Sequence, residues 1–133
     1  MIVVDTNVIS YYWIKSEFSD LAEKAFKKDS QWIAPYLWRS EFRNVLSVYV
    51  RKNLLSYNEA FELMVSALEF MEGKEFSVTN EKVFEIIKKS DLSAYDSEFV
   101  ALADQNNIKL VTSDKKIVAS FPKITIFLRD FLS

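Results

Sequence analysis

The sequence predicts an α/β fold: a three-layer α/β/α sandwich around a mostly parallel central sheet of about five strands. Three observations predict it. Short runs such as Ile2-Val3-Val4 are β-branched and apolar on both faces, the pattern of a strand buried in the middle of a sheet. Segments with helical apolar spacing separate these runs, and that alternation marks parallel strands joined by crossover helices. Finally, 133 residues, half of them hydrophobic, can fill one core but not two, and no linker, repeat or low-complexity tract divides them. Residues 1–133 are therefore expected to form a single domain.

The elements follow in order. After Ile2-Val3-Val4 come Asp5-Thr6-Asn7, residues that cap helices or make turns, and a helical stretch from about residue 8. A second helix is expected from Ser19 to about Lys28, and a second strand at Trp32-Ile33-Ala34, stopped by Pro35. Helical spacing resumes from Tyr36 to about Lys52. Ser56 with Glu59 forms a capping box that opens a helix ending near Gly73 at its C′ position. Glu75 to Val78 reads as a third strand, and Asn80 as the cap of a helix to about Lys89. Ser93 opens another helix to about Asn107. Lys109 to Thr112 is a fourth strand, Asp114 starts a short helix, and Ile124 to Phe127 is a fifth strand.

Composition removes whole classes of chemistry. Without histidine there is no Ser-His-Asp triad, histidine base or His-ligated zinc site. Without cysteine there is no disulfide, thiolate nucleophile or iron–sulfur cluster. The single glycine, Gly73, excludes a P-loop and a GxGxxG turn. Any catalysis must come from carboxylates, amines, hydroxyls or a bound metal ion. The net charge of −2 gives no global footprint for nucleic acid, though a local basic rim is compatible with it. No apolar run approaches a membrane span, and the start lacks the basic and long apolar regions of a secretory signal, so the expected compartment is the cytoplasm.

Four carboxylates stand out. Glu41 lies in or beside the apolar stripe formed by Leu37 and Val45, with Trp38, Phe42 and Tyr49 flanking it, where a free charge is expensive. A bland alternative is a boundary glutamate paired with Arg39 or Arg43. Asp96 sits over a buried face with Phe99, Val100 and Ala103, although it also follows Ser93 at capping-box spacing. Asp5 and Asp114 each follow a buried strand at its carboxyl end, where open α/β sheets bind ligands and where a plain helix cap is also at home. If those two strands are neighbours, the acids meet. Two carboxylates ~4 Å apart repel by about 4 kcal/mol at an effective dielectric near 20. Protonation relieves that cost, and so does a hard divalent cation such as Mg²⁺ or Mn²⁺.

These residues resemble a PIN domain, with size and ends like the VapC-type toxins of prokaryotic toxin–antitoxin pairs. The matching segments run in order: Ile2 to Ile9, Ser40-Glu41-Phe42 with Val45-Leu46, Tyr95-Asp96 with Ala101-Leu102-Ala103, and Val111 to Asp114. Each segment is weak alone; the ordered set is specific. The resemblance implies an endoribonuclease holding one or two Mg²⁺ or Mn²⁺ ions on Asp5, Glu41, Asp96 and Asp114. Asp5, Asp96 and Asp114 would be direct ligands and Glu41 would act partly through water, with Asn7 and Thr112 orienting them. Asp91 and Glu98 lie near Asp96, but the Ala101-Leu102-Ala103 register favours Asp96. The resemblance also implies an RNA substrate, an antitoxin partner and a homodimer, with Trp13 as an interface residue.

Around the acids, Arg39, Arg43, Lys115 and Lys116 could grip phosphates or merely stay solvated, and Tyr11, Tyr12 and Trp13 could stack bases or fill core. The alternative function is a non-catalytic RNA-binding or regulatory interaction module of PIN-like fold. A receiver-type phosphoacceptor fits less well, because Asp5 is followed by Thr6-Asn7 rather than a second acid, and no lysine is evident after the last strand.

Overall fold

A computed structural model describes all 133 residues. Five strands form one sheet: β1 (Ile2–Val4), β2 (Trp32–Pro35), β3 (Glu75–Phe76), β4 (Leu110–Thr112) and β5 (Thr125–Phe127). Their spatial order is β3-β2-β1-β4-β5, and every neighbouring pair is parallel. The register sets Val3 beside Ile33 on one side and beside Leu110 on the other. Every residue of β1, β2 and β4 is buried, as expected of strands covered on both faces. Pro35 does not stop β2. It occupies the last position, beside Phe76, where proline's missing N–H costs least.

The helices are α1 (Thr6–Trp13), α2 (Ser19–Lys28), α3 (Trp38–Arg51), α4 (Tyr57–Phe70), α5 (Asn80–Lys88), α6 (Ala94–Gln105), α7 (Lys115–Ser120) and α8 (Leu128–Phe131). Helix α1 starts two residues earlier than expected because Asp5 itself caps it, accepting from the Thr6 N–H at 2.7 Å. The Ser56–Glu59 capping box is complete in both directions. Thr79, rather than Asn80, caps α5 by accepting from the Lys82 N–H. Asn53 and Asn107 end α3 and α6 in the left-handed region, with Leu54 and Ile108 N–H groups reaching back to the Tyr49 and Ala103 carbonyls. Gly73, at φ 78°, sits one residue beyond the expected C′ place and turns the chain into β3. The short α8 has no sequence signal that announced it. A cluster of 30 buried hydrophobic residues ties the layers together, with Trp32, Trp38 and Phe42 among the fully buried side chains. No helix is long and apolar enough to cross a membrane.

Candidate active site

The strand order changes direction between β1 and β4, since β1 continues to β2 on one side and takes β4 on the other. Ligands of open α/β sheets bind outside the strands' carboxyl ends at such a point. A cleft of about 600 Å³ opens there, lined by all four singled-out acids: Asp5, Glu41, Asp96 and Asp114. Asp91 is exposed in the loop before α6, and Glu98 is not among the residues lining the cleft, so Asp96 is the acid that this helix brings in.

Each acid is held by a different local device. Asp5 is 7% exposed. One of its oxygens takes the Thr6 N–H, and the other takes the Thr112 hydroxyl at 2.7 Å and the Asn7 amide at 3.4 Å. Thr112, at the end of β4, also accepts the Asp114 N–H at 3.0 Å, so one hydroxyl links both strand-end acids. Asn7 accepts the Ser113 N–H at 3.2 Å and donates to Thr112, closing the network. Asp114 caps α7 through Oδ1, which accepts from the Lys116 and Ile117 N–H groups. Glu41 accepts the Thr6 hydroxyl at 2.7 Å. Asp96 sits in the first turn of α6, its N–H capped by the Ser93 hydroxyl at 3.1 Å.

The electrostatics are those of an uncompensated anionic site. Burial pushes the Asp5 carboxyl up to about 7, against the lowering effect of its Thr112 and Thr6 hydrogen bonds, and the charges of Glu41 and Asp96 add to the rise. Burial likewise raises Glu41, opposed by the Thr6 hydroxyl and reinforced by Asp96 and Glu98. Asp96 is raised by burial and by the nearby Asp114. None of the four forms a salt bridge. Arg39, a flanking cation, is instead drawn into a bidentate pair with Glu75 on β3, which Trp38 Nε1 also contacts at 2.8 Å. Arg43 reaches only its own helix, at Ser40. Lys116 is close enough to lower Asp96, but not to pair with it.

The donor set fits a hard divalent cation: carboxylate oxygens only, raised proton affinities and no cation already in place. No three acidic side chains are gathered tightly enough to hold a metal ion unaided.

Several cleft residues were not singled out from the sequence as site residues. Thr6 reads as a turn residue, yet its hydroxyl steadies Glu41. Ser40 and Asn44 of α3 and Tyr95 of α6 also line the cleft. Asn44 is three residues from Glu41 and so shares its helix face, while Thr6, Ser40 and Tyr95 stand within the segments that carry the family resemblance. Tyr11, Tyr12 and Trp13 are not in the cleft. Tyr12 packs among Trp13, Phe26, Trp32 and Phe70, and Tyr11 against Phe18.

Known proteins share this architecture. The crystal structure of PAE2754 from Pyrobaculum aerophilum matches with a TM-score of 0.77 at 19% identity, over 98% of this chain and 92% of that one. FitAcB from Neisseria gonorrhoeae matches with a TM-score of 0.76 at 17% identity, over 97% and 99%. In sequence, Ribonuclease VapC3 of Pyrobaculum aerophilum is 27% identical over 126 residues, which is 92% of this chain and 96% of that protein. The model of the PIN domain family matches residues 2–123, from the first residue of β1 to beyond α7. A match of that extent places the chain in the PIN domain family.

Proposed function

We propose that this chain is a divalent-metal-dependent endoribonuclease that hydrolyses RNA phosphodiester bonds, and that it is the toxin of a VapBC-type pair. The observation that carries the reading is the convergence of Asp5, Glu41, Asp96 and Asp114 on one cleft with no cationic partner among them. Membership of the PIN family and a relative named as a VapC ribonuclease support it. In this reading the whole chain works as one domain in the cytoplasm, as a homodimer, until an antitoxin protein restrains it.

Asp5, Asp96 and Asp114 would hold Mg²⁺ or Mn²⁺ directly and Glu41 partly through water. When bound, the ion would bind the scissile phosphate, supply an activated water and offset the charge that develops on the phosphate. The chain's own residues prepare that site. Thr112 and Asn7 both donate to Oδ2 of Asp5 and so orient its carboxylate. Asp114 uses Oδ1 to cap α7, which keeps Oδ2 for the cleft. The Thr6 hydroxyl occupies one oxygen of Glu41 and leaves the other. Burial raises the proton affinity of Asp5, and positive charge entering the cleft would favour its ionised form.

The test is cleavage of a labelled RNA with Mg²⁺ or Mn²⁺, with EDTA controls, by the wild type and by Asp5→Asn and Asp96→Asn. Cleavage should vanish with EDTA and in both variants while circular dichroism stays native. Expression of the wild type should arrest growth, and Asp5→Asn should not. Undiminished cleavage by Asp5→Asn would refute the catalytic assignment. RNA binding with no cleavage under any metal would favour the interaction-module alternative.

A further inference from the structure

The cleft wall contains one aromatic side chain, Tyr95, and that ring is 62% exposed. Exposed aromatic area in a protein of this size calls for an explanation when it lines a polar cleft. The other exposed rings, Tyr36, Tyr57, Phe61, Phe76 and Phe84, lie outside the cleft lining. Tyr95 stacks on no other ring, sits under no cation, and its hydroxyl has no hydrogen-bond partner. Its backbone lies in the first turn of α6, whose N-terminus is held by the Ser93 cap. The next residue is Asp96. The same cleft is lined by Leu37, which caps α3, and by Val45, Ser40 and Asn44 of α3.

We propose that Tyr95 is a base-stacking residue: a nucleotide of the bound RNA lays its base on the Tyr95 ring, in the cleft that Leu37 and Val45 also line. This placement rests on the cleft being the RNA-binding site. A flat apolar face beside an acidic phosphate-processing centre matches a nucleotide, whose base and phosphate need those two surfaces side by side. Stacking tolerates any base, because every base presents a π-face, so Tyr95 contributes affinity and positioning rather than sequence choice. Tyr11, Tyr12 and Trp13, for which base stacking was one alternative, lie outside the cleft.

The experiment pairs binding with turnover. Equilibrium binding of fluorescein-labelled oligo(A) and oligo(U) decamers is measured by anisotropy in the Asp5→Asn background with Mg²⁺ present. Cleavage of the same oligomers is measured with Asp5 intact. In each background Tyr95→Ala, Tyr95→Phe and the control Tyr57→Ala are compared. Loss of one base stack should weaken Kd and raise KM about tenfold to a hundredfold in Tyr95→Ala, while Tyr95→Phe stays within about twofold. Tyr57→Ala should match its parent. If Tyr95→Ala binds and cleaves as its parent does, stacking is refuted and the nuclease reading stands. If no oligomer is cleaved but binding is lost in Tyr95→Ala and kept in Tyr95→Phe, stacking stands and the nuclease reading falls. If no variant binds either oligomer, both fall.

Discussion

The Thr112 hydroxyl donates to Asp5 at 2.7 Å across 107 residues of sequence, from the end of β4 to the end of β1. The same oxygen accepts the Asp114 N–H at 3.0 Å. Thr112 is fully buried, so its bond to Asp5 operates away from water, while that from Asp114 is partly buried. Thr112→Val keeps the shape and removes both. It should cost about 1–3 kcal/mol in urea denaturation, the range for stranding buried hydrogen-bonding groups. It should also raise the Asp5 proton affinity further, moving any metal-binding midpoint to higher pH. Thr112→Ser should recover most of both effects, and a Val variant as stable as wild type would show that the bridge is idle.

Asp5 makes stability depend on pH in a specific direction. Its folded value of about 7 lies above the ordinary 3.8, so the folded state holds a proton that the unfolded state releases at lower pH. The resulting stabilisation is complete below about pH 4 and is lost as pH rises through about 7. Metal-free protein should therefore weaken between those limits, by at most about 4 kcal/mol from this group, because each pH unit of that interval is worth about 1.4 kcal/mol. Asp5→Asn removes the buried charge. In EDTA it should be more stable than wild type at pH 8, with the gap closing by pH 4. A constant gap across that range would sink the burial argument.

Metal binding should reverse that weakness. With free Mn²⁺ at about 100 times its dissociation constant, the fold gains roughly 2.7 kcal/mol. For a chain of this size that is roughly 10 °C in Tm. Thermal unfolding during a Mn²⁺ titration should show the rise in wild type and a much smaller one in Asp96→Asn.

Asp114 has two jobs that substitutions can separate. Asparagine still caps a helix, so Asp114→Asn should stay within about 0.5 kcal/mol of wild-type stability, whereas Asp114→Ala should lose about 1 kcal/mol. Both should lose metal-dependent stabilisation. Retention of that stabilisation in the Asn variant would reduce Asp114 to a cap alone.

Arg39 should matter to the fold rather than to substrate. Its bonds to Glu75, together with that of Trp38, fasten the start of α3 to β3. Arg39→Ala should cost about 1–2 kcal/mol in denaturation, discounted for the half-exposed guanidinium, and leave the KM for RNA near wild type. A rise in KM without loss of stability would return Arg39 to the phosphate-gripping role.

Much of this molecule is legible in one dimension. Ile2-Val3-Val4, the Ser56–Glu59 box and the alternation of short strands with helices specify a parallel α/β sheet, because period, capping and branching are properties of adjacent residues. The four acids are legible too, since each interrupts an apolar pattern or ends a buried strand. The tertiary structure decided which side chains meet. It set Thr6 against Glu41, 35 residues away, and turned Arg39 toward Glu75, 36 residues away. It sank Tyr12 into an aromatic cluster and left Tyr95 facing the cleft. Local pattern says what a segment becomes. The partner of a polar or aromatic side chain depends on how distant segments close in space, and that follows from packing the whole core at once.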